Sequence, residues 1–114
     1  MTRILFVCSE NRLRSPTAAA VFSSYDGIEA ISAGTNADSE TPVSGDLVAW
    51  ADVILVMENS HKRKITAKFS TLLRDKKVGV LQIPDHFEYM DQLLVDILKR
   101  RVPSYVSIGI QDGT

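Results

Sequence analysis

The chain contains one cysteine, Cys8, which is followed by five residues and then by Arg14. These two residue types, at this spacing, suit chemistry at phosphorus. A thiolate can attack a phosphorus atom, and a guanidinium can bind two phosphoryl oxygens through paired hydrogen bonds. A lysine lacks that planar fork of donors. We therefore expect Cys8 to be a nucleophile and Arg14 to bind the anion that it attacks.

The residues between Cys8 and Arg14 have the features of an anion-binding loop at the start of a helix. Successive backbone N–H groups at such a position attract negative charge and favour a thiolate over a thiol. Asn11 tolerates the positive φ that such a loop usually needs, and Ser15 can donate its hydroxyl proton to the thiolate. Arg12 is interpreted as a solvent-facing charge. A lone cysteine is more often a small buried hydrophobe, but this environment favours the nucleophile.

Strands and helices alternate along the chain around this loop. The strands are predicted over residues 3–7, 28–33, 53–57 and 78–83, and helices follow them from residue 16, over 46–51, from about 60 and from 92. This alternation predicts an α/β fold with a parallel sheet and helices on both faces. Ligands bind at the carboxyl edge of such sheets, so the loop at 84–90 is expected to meet the cysteine loop.

The predicted helix starts depend on local capping signals. Ser15 is the predicted N-cap of the first helix, Asn59 or Ser60 that of the third, and Asp91 that of the last. In the third helix, Leu72 is predicted to face inward.

Length and composition set further limits. The 114 residues, with 45% hydrophobic and 24% charged side chains, predict a single domain over 1–114, with 104–114 as a tail that packs as an extended segment or frays. The net charge of −1 predicts no general attraction to nucleic acid or membrane. One cysteine excludes an internal disulfide and a thiolate-rich metal site, and a free thiol favours the cytoplasm. The N-terminal apolar run is too short for a signal peptide or a spanning helix.

The run ILFVCSENRLRSPTAAAVF resembles the opening of the low-molecular-weight protein tyrosine phosphatases. Their signature is a cysteine, five residues and Arg-Ser between a strand and a helix. SAG at 32–34, ADVILVM at 51–57 and a late aspartate loop follow in the family's order, so the resemblance covers roughly residues 3–100. It implies a four-stranded parallel sheet in the order 2-1-3-4 and hydrolysis of phosphomonoesters through a cysteinyl-phosphate. The implied substrate is a phosphorylated protein or a small aryl phosphate, with no metal or other cofactor, and a monomer is favoured.

The resemblance also assigns roles to individual residues. Cys8 is the nucleophile, Arg14 binds the phosphoryl group, Ser15 stabilises the thiolate and Asn11 organises the loop. The implied phosphate-binding loop consists of Ser9, Glu10, Asn11, Arg12, Leu13, Arg14 and Ser15.

The family needs an aspartate as general acid, and the run IPDHFEYMD supplies Asp85. Asp91 is the rival, although it is better interpreted as a helix cap. Phe87 and Tyr89 are possible walls for an aromatic substrate. The family's order is Asp-Pro-Tyr, so the Pro-Asp order of this chain is a departure from the pattern.

Two departures in the cysteine loop leave other functions open. Glu10 replaces a glycine, and Leu13 replaces a second cysteine that could protect Cys8 by a disulfide. A module that binds oxyanions or phosphoproteins without turnover is one alternative. An arsenate reductase is less favoured, because the single cysteine would have to depend on an external thiol. His61 and His86 are expected to be exposed and incidental.

Overall fold

Apolar, β-branched runs form a four-stranded parallel sheet in the computed structural model, which describes residues 1–107. The strands are β1 (Thr2–Cys8), β2 (Ile28–Gly34), β3 (Val53–Val56) and β4 (Lys77–Val80), in the order β2-β1-β3-β4. Strand β1 is central and pairs in parallel with both β2 and β3. Its residues from Ile4 to Cys8 are all buried, as expected for a strand covered on both faces. The predicted fold class and strand order are confirmed.

Within residues 1–107, four α-helices cover the sheet, namely α1 (Arg14–Phe22), α2 (Gly45–Trp50), α3 (Asn59–Leu73) and α4 (Gln92–Arg101), and a short 3₁₀ helix, Val102–Ser104, follows α4. Because side chains alternate along a strand, Ile4 and Phe6 pack into one core with α1 and α4. Leu5 and Val7 pack into a second core with α2 and α3 on the opposite face. No helix within residues 1–107 is long and apolar enough to cross a membrane.

Two of the three predicted helix caps are wrong. Helix α1 begins one residue before Ser15, whose hydroxyl is hydrogen-bonded within the cysteine loop instead of capping the helix. Helix α3 is preceded by Glu58, which takes the cap position predicted for Asn59 or Ser60. Asp91 caps α4 as predicted, and its carboxylate accepts a hydrogen bond of 2.9 Å from the helix backbone.

Helix α3 also differs from the prediction in its last turns. Phe69 has non-helical angles (φ −127°, ψ 29°), which kink the helix. The turn after the kink is rotated relative to the turns before it, and Leu72, predicted to face inward, is 43% exposed.

Part of the predicted tail packs against β4. The Tyr105 ring lies so close to Gly79 that a Cβ there would be 2.5 Å from a ring carbon. The Tyr105 hydroxyl donates a 3.1 Å hydrogen bond to the Val80 carbonyl, and Val106 is buried in the core. The remainder of the tail, 108–114, lies outside the described residues.

Candidate active site

A cleft of about 410 Å³ lies at the carboxyl edge of the sheet, where the loops after β1 and β4 meet. Its lining residues come from these two loops: Cys8, Ser9, Glu10, Arg12, Leu13, Arg14 and Asp85. The topology therefore brings the cysteine loop and the Asp85 loop together, although they are far apart in the sequence.

Cys8 ends β1, and its sulfur is held at the floor of the cleft by hydrogen-bonding groups. The residue is only 3% exposed. Its Sγ lies 2.9 Å from Ser15 Oγ and accepts a 3.2 Å hydrogen bond from the Asn11 backbone N–H. These are the groups that a thiolate needs around it, because each can donate to a negatively charged sulfur.

Asn11 holds the loop in its bent form. Its φ of 57° lies in the left-handed region, as predicted for a loop without glycine. Its side-chain Oδ1 accepts a 2.9 Å hydrogen bond from the Ser15 hydroxyl. Ser15 has one hydroxyl proton, so it cannot donate to Asn11 and to Cys8 at once. A thiol at Cys8 can donate to Ser15, whereas a thiolate requires the Ser15 proton to turn towards the sulfur.

The Arg14 guanidinium is buried, with 2% of the residue exposed, and one of its nitrogens is fully committed to the protein. Nη1 donates to the Ile83 carbonyl at 2.8 Å and to Glu58 Oε1 at 2.5 Å. Nε lies 3.7 Å from Asp85 Oδ1, too far for a hydrogen bond. Nε is thus ion-paired with Asp85 without a hydrogen bond, and within residues 1–107 neither Nε nor Nη2 has a hydrogen-bond acceptor, so this edge can receive a ligand. That edge is the one that binds two oxygens of a phosphoryl group.

Glu58 and His61 contribute to the site, and the sequence analysis missed both. Glu58 is the ion-pair partner of Arg14. The backbone N–H of Glu58 donates to His61 Nδ1 at 3.0 Å, and His61 Nε2 lies 2.9 Å from the Ser9 hydroxyl oxygen. The expectation that His61 is exposed is wrong, because the residue is 1% exposed. The available signal was the spacing of the two residues. His61 lies three residues after Glu58, and a side chain at that position can accept a hydrogen bond from the backbone N–H of the cap residue.

The environment of His61 keeps its ring neutral. Burial, followed by the positive charge of Arg14, lowers the pKa of His61 to about 4. Glu58 and Asp85 act in the opposite direction, but they do not offset the burial.

The segment after β2 supports the cysteine loop from outside the cleft. The backbone N–H groups of Thr35 and Asn36 donate to the carbonyls of Cys8 and Ser9, at 2.8 and 2.9 Å. Gly34 allows this approach, because a Cβ there would lie 2.6 Å from the Ser9 carbonyl oxygen. A trans peptide holds its carbonyl and its N–H on opposite sides, so the N–H groups of Ser9 and Glu10 point away from the segment after β2.

The Asp85 loop is anchored at both ends. The Ile83 N–H donates to the Met57 carbonyl at 2.8 Å, and the Met90 N–H donates to Thr17 Oγ1 on α1 at 2.9 Å. Between these anchors the Asp85 side chain is 64% exposed and faces the cleft. The rival acid, Asp91, has its carboxylate engaged as the cap of α4.

The two aromatic residues of this loop lie elsewhere. Phe87 is 8% exposed and packs into the core, with its ring centroid 4.4 Å from that of His86. Tyr89 is 53% exposed. Neither is among the residues that line the cleft. The sequence indicated a core position for Phe87 only through its apolar side chain. An apolar side chain is equally suited to the wall of a substrate site, so the two could not be distinguished.

The rim of the cleft carries charges of both signs. Glu10 Oε2 lies 3.6 Å from Arg12 Nη1, and the two side chains are 55% and 71% exposed. The Glu10 charge is therefore partly balanced at the rim. Within residues 1–107, no three His, Cys, Asp or Glu side chains are grouped so that they could hold a metal ion.

Comparisons with known proteins identify the fold. No family model and no curated protein sequence matches the chain. Among solved structures, it is similar to SP-PTP, a low molecular weight protein tyrosine phosphatase from Streptococcus pyogenes, with a TM-score of 0.75 and 19% identity, covering 94% of this chain and 95% of that one. It is also similar to the tyrosine phosphatase Wzb from Escherichia coli K30 in complex with phosphate, with a TM-score of 0.71 and 21% identity, covering 90% of this chain and 94% of that one. A third similar structure is the YwlE arginine phosphatase from Geobacillus stearothermophilus, with a TM-score of 0.68 and 23% identity, covering 88% of this chain and 85% of that one. The chain thus has the fold of the low-molecular-weight protein tyrosine phosphatases, in agreement with the resemblance found in the sequence.

Proposed function

We propose that this chain, with the fold of the low-molecular-weight protein tyrosine phosphatases, hydrolyses phosphomonoesters through a cysteinyl-phosphate on Cys8. One observation carries the proposal. The Cys8 sulfur, with the Ser15 hydroxyl and the Asn11 N–H within hydrogen-bond distance, lies in the same cleft as the Arg14 guanidinium and the Asp85 carboxyl group.

The proposed reaction has two steps. The Cys8 thiolate forms a bond to phosphorus as the bond from phosphorus to the leaving oxygen breaks, and Asp85 gives its proton to that oxygen. A water molecule then attacks the phosphorus and gives a proton to Asp85, the sulfur–phosphorus bond breaks, and phosphate leaves. The Nε and Nη2 edge of Arg14 and the loop N–H groups stabilise negative charge on the equatorial oxygens in both steps.

Hydrolysis of aryl phosphates tests this mechanism. Cys8→Ser is expected to abolish turnover, and the wild type is expected to release a burst of the phenol as the phosphoenzyme forms. Asp85→Asn is expected to lower kcat/KM about 10²–10⁴-fold for a poor leaving group such as phenol, and less for nitrophenol, which needs no proton to leave. The kcat of this variant is expected to fall for both substrates, because Asp85 also takes the proton of the attacking water. Asp91→Asn is the matched control, because asparagine retains the cap of α4.

Particular results would contradict the proposal. A Cys8→Ser protein as active as the wild type would exclude the covalent step. Tight binding of phosphate with neither burst nor turnover would favour a non-hydrolysing oxyanion-binding module. Consumption of an added thiol that depends on arsenate would instead favour arsenate reduction.

We propose phosphotyrosine in proteins as the substrate, since two of the structural neighbours are tyrosine phosphatases and the Asp85 carboxyl group in the cleft can protonate a phenolic leaving oxygen. Phosphoarginine, whose scissile bond joins phosphorus to nitrogen so that Asp85 would protonate a leaving nitrogen, is a second candidate, favoured by the acidic side chains at the cleft, Glu10 and Asp85. Its guanidinium would be complementary to them, and one structural neighbour is an arginine phosphatase.

Rates on paired peptides with phosphotyrosine or phosphoarginine at the same position separate these two candidates. If phosphoarginine is the substrate, Glu10→Gln is expected to lower its kcat/KM several-fold and leave the aryl phosphate rate nearly constant. Glu29→Gln is the matched control, because it removes one negative charge at an exposed position on β2, away from the cleft.

A further inference from the structure

Ser9, the residue after the proposed nucleophile, lies between a buried histidine and the cleft. Its side-chain oxygen is 2.9 Å from His61 Nε2, and the residue lines the cleft with Cys8 and Arg14. The Ser9 backbone makes a separate contact, because its carbonyl accepts a hydrogen bond of 2.9 Å from the Asn36 N–H.

The backbone of Glu58 determines which His61 nitrogen carries the proton. The Glu58 N–H can only donate, and it lies 3.0 Å from His61 Nδ1, so Nδ1 must accept. A neutral imidazole has one acceptor and one donor nitrogen, so the proton is on Nε2. The low pKa of His61, caused by burial, agrees with a neutral ring.

The direction of the hydrogen bond to Ser9 follows from this tautomer. His61 Nε2–H donates, and the Ser9 oxygen accepts. The Ser9 hydroxyl proton must then point away from the ring, and within residues 1–107 it has no other acceptor. The cleft that Ser9 lines is where an acceptor would be found.

We propose that Ser9 donates its hydroxyl proton to an oxygen of the bound phosphoryl group, and that His61 is the positioning residue that holds Ser9 in this orientation. The inference rests on the proposed function, because it concerns the same anion. Ser9 adds a side-chain donor to those of Arg14 and the loop backbone. If the Ser9–His61 contact only fastened the loop to α3, its loss would lower the melting temperature without acting on the anion specifically.

Calorimetric titration with inorganic phosphate tests the inference without requiring turnover. Ser9→Ala is expected to raise the phosphate Kd about tenfold, the effect of losing one hydrogen bond to a charged group. Ser9→Thr keeps the hydroxyl and is expected to bind within about threefold of the wild type. Ser70→Ala removes a hydroxyl from the exposed side of α3 and is the matched control.

The part played by His61 is tested by combining variants. His61→Ala is expected to weaken phosphate binding when Ser9 is present and to have no further effect in the Ser9→Ala background. His61→Gln can accept from the Glu58 N–H and donate to Ser9, so it is expected to restore most of the affinity. Should His61→Ala fail to fold, the Ser9 series and His61→Gln still decide the question.

The outcomes separate this inference from the proposed function. A Ser9→Ala protein that binds phosphate as tightly as the wild type overturns the inference and leaves the proposed function standing. Phosphate binding by Ser9→Thr that is as weak as that of Ser9→Ala overturns the inference in the same way. A wild-type protein that does not bind phosphate at all contradicts both.

Discussion

The buried ring of His61 makes the stability of this protein depend on pH. Its pKa is lowered from 6.5 to about 4 in the folded protein. In the unfolded chain the ring titrates near its ordinary value, so between these two values the unfolded state binds the proton more readily. The contribution of the neutral ring is therefore complete above about pH 6.5, is lost as the pH falls, and changes no further below about pH 4.

The size of this effect follows from the shift. Each pH unit corresponds to about 1.4 kcal/mol, so the free energy of unfolding is expected to fall by about 3 kcal/mol between pH 7 and pH 4 through His61 alone. Carboxyl groups also titrate in this range. The effect must therefore be measured as the difference between the wild type and a variant without the ring.

Urea unfolding of wild type and His61→Gln from pH 4 to pH 7 gives that difference. The wild type is expected to lose about 3 kcal/mol more than His61→Gln over this range. His86→Gln removes the exposed histidine and is the control, expected to follow the wild type. Proton NMR titration of the His61 ring provides an independent measure.

Two results would refute this reasoning. If the free energy of unfolding changed equally with pH in the wild type and in His61→Gln, protonation of the His61 ring would not destabilise the folded protein. A His61 resonance that titrates near pH 6.5 would mean that the burial of the ring does not disfavour its protonation.

Two further substitutions test the supports of the cleft. Gly34→Ala places a Cβ 2.6 Å from the Ser9 carbonyl oxygen. It is expected to lower the free energy of unfolding, measured in urea, by about 1–3 kcal/mol and to lower aryl phosphatase activity. Gly45→Ala is the control and should be tolerated, because the nearest neighbouring atom would be 3.4 Å from the new Cβ. A stable and fully active Gly34→Ala protein would contradict the tight approach. Thr17→Val removes the acceptor of the Met90 N–H and is expected to raise KM for aryl phosphates by loosening the Asp85 loop. Thr17→Ser should restore the wild-type KM, and an unchanged KM in the valine variant would show that this anchor is dispensable.

Patterns in the sequence were sufficient to predict the fold and the place of the cleft. Continuous apolar runs such as that of β1 are characteristic of buried parallel strands, and the resemblance supplied the strand order. The meeting of the Cys8 and Asp85 loops followed from the rule that ligands bind at the carboxyl edge of the sheet. The positive φ of Asn11 followed from its residue type.

Contacts between distant side chains could not be predicted in this way. The ion pair of Glu58 with Arg14 joins residues 44 positions apart, and no local pattern records such a distance. The same holds for the contact of His61 with Ser9, which are 52 positions apart. Phe87 was interpreted from its loop position, but the burial of an aromatic ring depends on whether the neighbouring core has room for it.

The cleft combines a buried floor with an exposed rim, and this division determines which positions can change. Substitutions on the floor alter the hydrophobic core or buried polar bonds, so they are expected to affect folding and reactivity together. Exposed side chains usually change stability by about 0.5 kcal/mol or less. The exposed rim residues without a proposed part in the chemistry of the phosphoryl group are Glu10 and Arg12. Changes at these two positions, in natural divergence or in a randomised library, could therefore alter which leaving group the cleft prefers, while the scaffold, Asp85 and the proposed nucleophile stay the same.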